Sequence, residues 1–341
     1  MIYWEQRQMM HSEVVMLYAY QLCAQTNARY QDSLVSLSQK EMRCMLSACG
    51  VSAEVELRLL GGAPFLCFEA PALTPGQRAF LGGHSAVYMQ CALEDGLLRP
   101  LPPAREPALP QDMPEILKYK GKTNPLFTQM LINLALSAGG QWNNPAPRVL
   151  DPICGHGTTL FCALGRDMDA IGVDSDKKSV QEGVAYAQKW LQYHRIKHSA
   201  QRSSLTLPGG RSAACVSLRV QERELKMILA DTRDTAQLTR KAPVHALVAD
   251  LPYGVQHAPR ENGRMSDLES LLQDALPAWR QSLVPGCAAA IAFNRYTLRR
   301  DTLTRLAEQA GFILPEGPEY ADFSHWVEQA IQRDVLVARR P

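Results

Sequence analysis

Residues 248–254 read Val-Ala-Asp-Leu-Pro-Tyr-Gly and close an apolar run that begins at Ala246. That ending suits one task, holding a flat ring that carries an exocyclic amine. Asp250 can accept a hydrogen from the amine, the backbone carbonyl of Leu251 can accept another, and Tyr253 can stack on the ring face. Asp250, Leu251, Pro252 and Tyr253 are therefore the candidate catalytic residues, with Gly254 beside them on the substrate side.

A second informative segment lies about a hundred residues upstream, Val149-Leu-Asp-Pro-Ile-Cys-Gly-His-Gly-Thr158. Gly155 and Gly157 let the backbone turn tightly and let a ligand approach the N-terminus of the following helix, where amide N–H groups favour a carboxylate or phosphate. A dinucleotide-binding loop would carry a third glycine at position 160, which is Leu160, and would not usually place Asp151 and Pro152 ahead of the glycines. Asp174 ends a second apolar run, where an acid can bind both hydroxyls of a ribose. Asp231 ends a third in Ala-Asp-Thr, where a carboxylate can accept from an adenine amine. Acids after strands also serve as helix caps, so each admits that reading as well. Taken together, three acids at successive strand ends with glycines at the first fit a ligand with an amino-acid end, a ribose and an adenine. S-adenosylmethionine is such a ligand.

The elements that must position these residues follow from periodicity. Strands are expected at Arg148–Leu150, Ala170–Val173, Lys226–Ala230, Ala246–Ala249, Ala288–Phe293 and Asp334–Ala338. Helices are expected near Thr158–Leu164, Lys177–Tyr193, Thr235–Thr239, Asp267–Leu283 and Leu298–Ala310, and Asn124-Pro125 opens a further helix that ends at Gly139-Gly140. Short apolar strands alternating with helices imply an α/β fold with a doubly wound, Rossmann-like, mostly parallel sheet, whose ligands bind outside the carboxyl ends of the strands. Residues 194–225 are too long for an ordinary connection. Eight Lys/Arg against two Glu between Lys189 and Lys226 mark them as a basic, hairpin-like insertion, read equally as a solvated excursion or an RNA contact.

Residues 99–114 are dense in proline and read as a stiff linker. Ahead of it, residues 1–98 form a small α+β module with strands at Val14–Tyr20, Val55–Leu60 and Phe65–Phe68 and a helix at Ser36–Ser47. Residues 115–341 form the larger domain. The formal net charge of +2 announces no nucleic-acid binder, so any such surface must be local. Nine scattered cysteines without a Cys-x-x-Cys pair read as reduced thiols in a cytoplasmic protein with no metal site, and no apolar run approaches the ~20 residues that span a bilayer.

Residues 117–339 resemble the class I S-adenosylmethionine-dependent methyltransferases. More narrowly, they are similar to the RNA methylases allied to the THUMP-containing tRNA guanine-N2 methyltransferases. The carrying residues are Lys118-Tyr-Lys-Gly-Lys-Thr-Asn124, Phe127-Thr128, Asp151–Thr158, Gly172-Val-Asp174, Ala230-Asp-Thr232, Asp250–Gly254 and the late segment His325–Val335. The resemblance implies a seven-stranded sheet and S-adenosylmethionine as cofactor, held by Phe127, Thr128, Asp151, Pro152, Gly155, Gly157, Thr158, Asp174, Asp231 and Thr232. It implies tRNA as partner and N2-methylation of a guanosine as the reaction. Lys118, Lys120 and Lys122, beside the expected cofactor entrance, read as phosphate contacts on the substrate side or as a solvated run, and Arg295 as an RNA contact or part of a charged helix face. Two departures stand out: Leu251 occupies a position where most relatives have proline, and 98 residues cannot hold both an N-terminal domain and a THUMP domain. The same tetrad serves amino-methylation of DNA adenine or cytosine, whereas glutamine methylation goes with Asn at the position of Asp250. A non-catalytic RNA-binding or partner subunit is the alternative outside enzymes.

Overall fold

The computed structural model of the chain describes residues 15–24, 28–103, 109–117, 119, 122–252, 260–261, 264–265 and 268–341. Tyr253, Gly254, Lys118 and Lys120, all expected site residues, lie outside the described residues.

The first part of the chain runs through strand β1 (Val15–Leu22), helix α1 (Ala28–Ala48), β2 (Glu56–Leu60), β3 (Ala63–Pro71), α2 (Pro75–Gly82), β4 (Val87–Glu94) and β5 (Leu97–Pro100). The strands are antiparallel in the order β2-β3-β1-β4-β5. Alternation in β1 sends Tyr18, Tyr20 and Leu22 into the same core as Met42, Met45 and Leu46 of α1. Both β-hairpins turn on two residues of positive φ, Gly61-Gly62 and Asp95-Gly96, as tight two-residue turns require. Helix α1 begins at Ala28, ahead of the expected Ser36, and α2, β4 and β5 lie beyond what alternation alone signalled.

Helices α3 (Met113–Ile116) and α4 (Pro125–Ala138) lead into β6 (Arg148–Asp151), α5 (Thr158–Gly165), β7 (Asp169–Asp174) and α6 (Lys177–Tyr193). Then come β8 (His198–Thr206), β9 (Ser212–Val220), β10 (Arg223–Leu229), α7 (Thr235–Thr239) and β11 (Val244–Asp250). The two-residue strands β12 (Arg260–Glu261) and β13 (Arg264–Met265) precede α8 (Leu268–Ser282), β14 (Leu283–Asn294), α9 (Arg300–Gln309), β15 (His325–Glu328) and β16 (Ile331–Arg339).

The large sheet has nine strands in the order β15-β16-β14-β11-β6-β7-β10-β9-β8. Its five central strands, β14 to β10, are parallel, and antiparallel pairs extend both edges. The expectation of seven strands is thereby corrected. Residues 198–220 form the hairpin β8–β9, and β9 pairs with β10 from Val220↔Arg223 to Ala214↔Leu229, so the insertion joins the sheet itself. Each face of the sheet carries its own core. Val149, Ala170, Ala246 and Val248 face α4, α5, α6 and the first module. Leu150, Ile171, Leu247 and Ala249 face α8 and α9 through Leu272, Trp279 and Leu303. Helix α4 lies between α1 and the sheet, and eleven of its fourteen residues are buried. At that contact Asn133 of α4 donates to Glu41 of α1 at 2.6 Å, and Arg166 donates to Asn133 at 2.7 Å.

Candidate active site

The chain steps from β6 outward through β7 to β10, then crosses back and steps from β11 to β14. Connections leaving β6 and β11 therefore diverge, and a crevice opens between their carboxyl ends, the usual ligand position in open α/β sheets. Register fixes three acids around it. Asp151 pairs with Gly172 and Leu150 with Leu247, so Asp174 and Asp250 each stand two residues beyond the level of Asp151, about 7 Å further along the strands. The period of two puts all three side chains on the face covered by α4, α5 and α6. Asp151 forms a buried floor, 4% exposed, and the other two are half-buried walls.

Between β6 and α5 the backbone folds back on itself. Cys154 N–H donates to the Val173 carbonyl at 3.0 Å and Gly157 N–H to the Cys154 carbonyl at 2.8 Å. Gly155 and Gly157 have φ of +51° and +95°, conformations that side chains rarely adopt. This loop lies against α6 so closely that a Cβ on Gly183 would stand 2.4 Å from the His156 carbonyl oxygen. Asp174 accepts from Gly155 N–H at 2.7 Å and from Asp176 N–H at 2.8 Å, so it ties the glycine loop to the start of α6. Tyr119 covers the loop from outside. Its ring stacks on His156 with centroids 4.0 Å apart, and its hydroxyl bonds the Thr158 hydroxyl at 2.8 Å.

Electrostatics set the three carboxyls apart from ordinary acids. Burial, reinforced by the charges of Asp174 and Asp250, pushes Asp151 up to about 7 against hydrogen bonds from Thr159 and Ile153 N–H. Burial likewise raises Asp174 and Asp250. The positive charge of Arg333 and a hydrogen bond from the Thr123 hydroxyl oppose the shift at Asp250. Arg333 is 6% exposed and lies over the Phe127 ring, 4.4 Å from its centroid. His325 packs beside Phe127 at 5.4 Å, and its burial lowers its pKa to about 4, which keeps the ring neutral. A crevice with three carboxyls beneath a glycine loop suits a ligand that brings positive charge and a hydrogen-bonding chain.

Of the other expected residues, Pro152, Phe127, Thr128 and Thr158 are buried around the crevice. Leu251 is buried, with its N–H donating to the Ala292 carbonyl at 2.9 Å, and Pro252 follows at the rim. Asp231 caps the turn Thr232–Asp234, and both its oxygens are held by Arg233 at 3.0 and 2.7 Å. Burial raises its pKa, but the bonds from Arg233 bring it below the usual range. The cap reading therefore describes Asp231 in this structure. The Thr232 hydroxyl accepts from the Trp279 indole at 2.9 Å. Lys122 turns its ammonium to the Glu115 carbonyl at 3.0 Å, and Arg295 is exposed at the end of β14. In the basic hairpin, Arg211 is engaged by Asp234 through two bonds of 2.7 Å. Tyr119, Thr123, His325 and Arg333 join the site without having been singled out as site residues from sequence. All four lie within the Lys118–Asn124 and His325–Val335 segments, so the signal was their company. Among the described residues no cluster of His, Cys, Asp or Glu could hold a metal ion, and no helix is long and apolar enough to cross a membrane.

No known family's sequence profile matches the chain, and no curated protein matches it. Among solved structures it is similar to a proposed RNA methyltransferase from Pyrococcus horikoshii, at 14% identity over 69% of this chain and 90% of that one, TM-score 0.40. It is similar to the magnesium protoporphyrin IX methyltransferase of Synechocystis with bound S-adenosylmethionine, at 15% identity over 65% and 87%, TM-score 0.37. It is also similar to an rRNA methylase from Streptococcus thermophilus, at 11% identity over 57% and 87%, TM-score 0.33.

Proposed function

We propose that this chain is an S-adenosylmethionine-dependent methyltransferase acting on an exocyclic amine of RNA, with guanosine N2 in tRNA as the leading target. The observation that carries the reading is the arrangement of Asp151, Asp174 and Asp250 on one face around a single crevice, with the glycine loop beside the first two. The donor sits over Asp151 and along the glycine loop, its ribose toward Asp174 and its sulfonium toward Asp250. The protein then supplies position and a usable lone pair, since the sulfonium is already an electrophile. An amine attached to an aromatic ring shares its lone pair with the ring. Hydrogen bonds from the amine to Asp250 and to the Leu251 carbonyl let the nitrogen pyramidalise and aim that pair at the methyl carbon. The N–C bond forms as the C–S bond breaks, the bonding pair returns to sulfur as a neutral thioether, and the proton leaves to Asp250 or to water. So recessed a crevice requires an unpaired or flipped base.

Tritium transfer from labelled donor to total tRNA, followed by nucleoside mass spectrometry, tests the proposal. Label in N2-methylguanosine supports it. Label confined to DNA, or none from a protein that binds the donor, overturns it.

The raised pKa of Asp151 gives a second test. Below about pH 7 the carboxyl is protonated, and a cationic donor must displace that proton before pairing with it. Donor affinity is therefore expected to rise about tenfold per pH unit up to about 7 and then level off. The contribution of Asp151 to the stability of the free protein is expected to run the opposite way. The folded value lies above the unfolded one, near 4, so stability is greatest below it and declines as pH rises toward 7. Calorimetric titration with donor from pH 5.5 to 8.5 checks the first trend, and a flat profile counts against Asp151 as the cation's seat.

A further inference from the structure

Thr123 and Asp250 lie 127 residues apart, and the Thr123 hydroxyl donates to Asp250 Oδ2. The backbone that presents this hydroxyl is firmly held. The next residue, Asn124, caps α4 by accepting from Leu126 N–H at 2.8 Å, and its carbonyl accepts from both the N–H and the hydroxyl of Thr128. Helix α4 is itself buried along most of its length. Four residues upstream, the Tyr119 hydroxyl engages Thr158 behind the glycine loop. Tyr119 and Thr123 thus commit one side-chain hydroxyl to the donor side of the crevice and one to the acceptor side.

A carboxylate at a strand end can rotate about its Cβ–Cγ bond, and a hydrogen bond fixed in the core removes that freedom. We propose that Thr123 is a positioning residue for methyl transfer, orienting the Asp250 carboxylate toward the substrate amine. This role rests on the methyltransferase reading. The same bond favours the ionised carboxylate against the upward push of its burial, and the ionised form is the one that accepts a hydrogen from the amine. The charge of Arg333 favours that ionisation too.

The test compares Thr123→Val, which keeps the shape and lacks the hydroxyl, with Thr123→Ser, which keeps the hydroxyl. Tyr119→Phe is the donor-side comparison. Single-turnover methyl transfer against pH, donor affinity by calorimetry and the carbon-13 titration of Asp250 are read on the full chain. For Thr123→Val the expected result is a rate about 10- to 100-fold lower, as for loss of a group that orients a functional side chain without touching the reacting atoms. Donor affinity should stay within about twofold, and the acid limb of the rate profile and the Asp250 titration should both move to higher pH. Thr123→Ser restores most of the rate and the position of the limb, and Tyr119→Phe weakens donor binding without moving the limb. An active wild type with an equally active Thr123→Val, an unmoved Asp250 titration, or a serine variant as impaired as valine overturns the role. A wild type that transfers no methyl group to any nucleic acid overturns the activity and this role with it, a pattern distinct from those three.

Discussion

Asp250→Ala is expected to lower single-turnover methyl transfer by about a thousandfold, within the range for loss of a positioned acid–base group. Donor affinity should remain within about threefold of wild type. The division follows from where the groups stand. Asp250 ends β11 on the acceptor side of the crevice, whereas the glycine loop is secured from β6, β7 and α6 by Asp174, the Val173 carbonyl and the close approach of Gly183. Removing Asp250 also removes a negative charge that raises Asp151. The easier ionisation of Asp151 that follows favours a cationic donor below pH 7, while the sulfonium loses the attraction of Asp250, so the two effects oppose each other and affinity stays near that of wild type. Parallel loss of donor binding and turnover would show that Asp250 serves the donor and not the amine.

The largest effect on stability is expected from Glu41→Ala, about 3–5 kcal/mol, as for breaking a buried ionic network by removing one member. Glu41 is 0% exposed. It accepts from the Ser85 N–H at 2.9 Å, the Ser85 hydroxyl and Asn133 Nδ2, and His84 Nε2 stands 3.3 Å away. Alanine leaves those donors buried without their acceptor and takes away the carboxylate whose charge favours the half-buried Arg166 cation. Urea unfolding with the slope held constant reads the change. A loss below about 1 kcal/mol would mean that water replaces the carboxylate and that the network contributes little.

The acids at strand ends were legible because a charge that terminates an apolar run can only sit at the rim of a buried sheet. Asp151, Asp174 and Asp250 satisfy that condition, and register then sets them around one crevice. Asp231 satisfies it too, yet Arg233 two residues later occupies both its oxygens. An Asp-x-Arg spacing at a capped turn is the sequence cue for that outcome. The parallel strands were readable from their apolar runs, and the 194–225 insertion from its length and turn, whereas its pairing with β10 was not, because no local pattern says which strand a hairpin joins. Thr123 could be read from sequence only as a member of the Lys118–Asn124 segment. Its role depends on a hydrogen bond to a residue 127 positions away, and no local propensity encodes that contact. The contact between Glu41 and Asn133 has the same character. A Glu in an amphipathic helix reads as a solvated position until α4 is seen to cover it.

Helix α4 has consequences for how the chain holds together. It has no solvent face to spare: Met130, Leu131, Ile132 and Leu134 are each at most 2% exposed, and α1 supplies one wall of their enclosure. Stripped of residues before the proline-rich stretch, α4 would present a greasy flank and a stranded Arg166–Asn133 pair to water. The two sheets are therefore expected to melt in a single calorimetric transition, and two resolved transitions would show that the seam between them is also a boundary for unfolding.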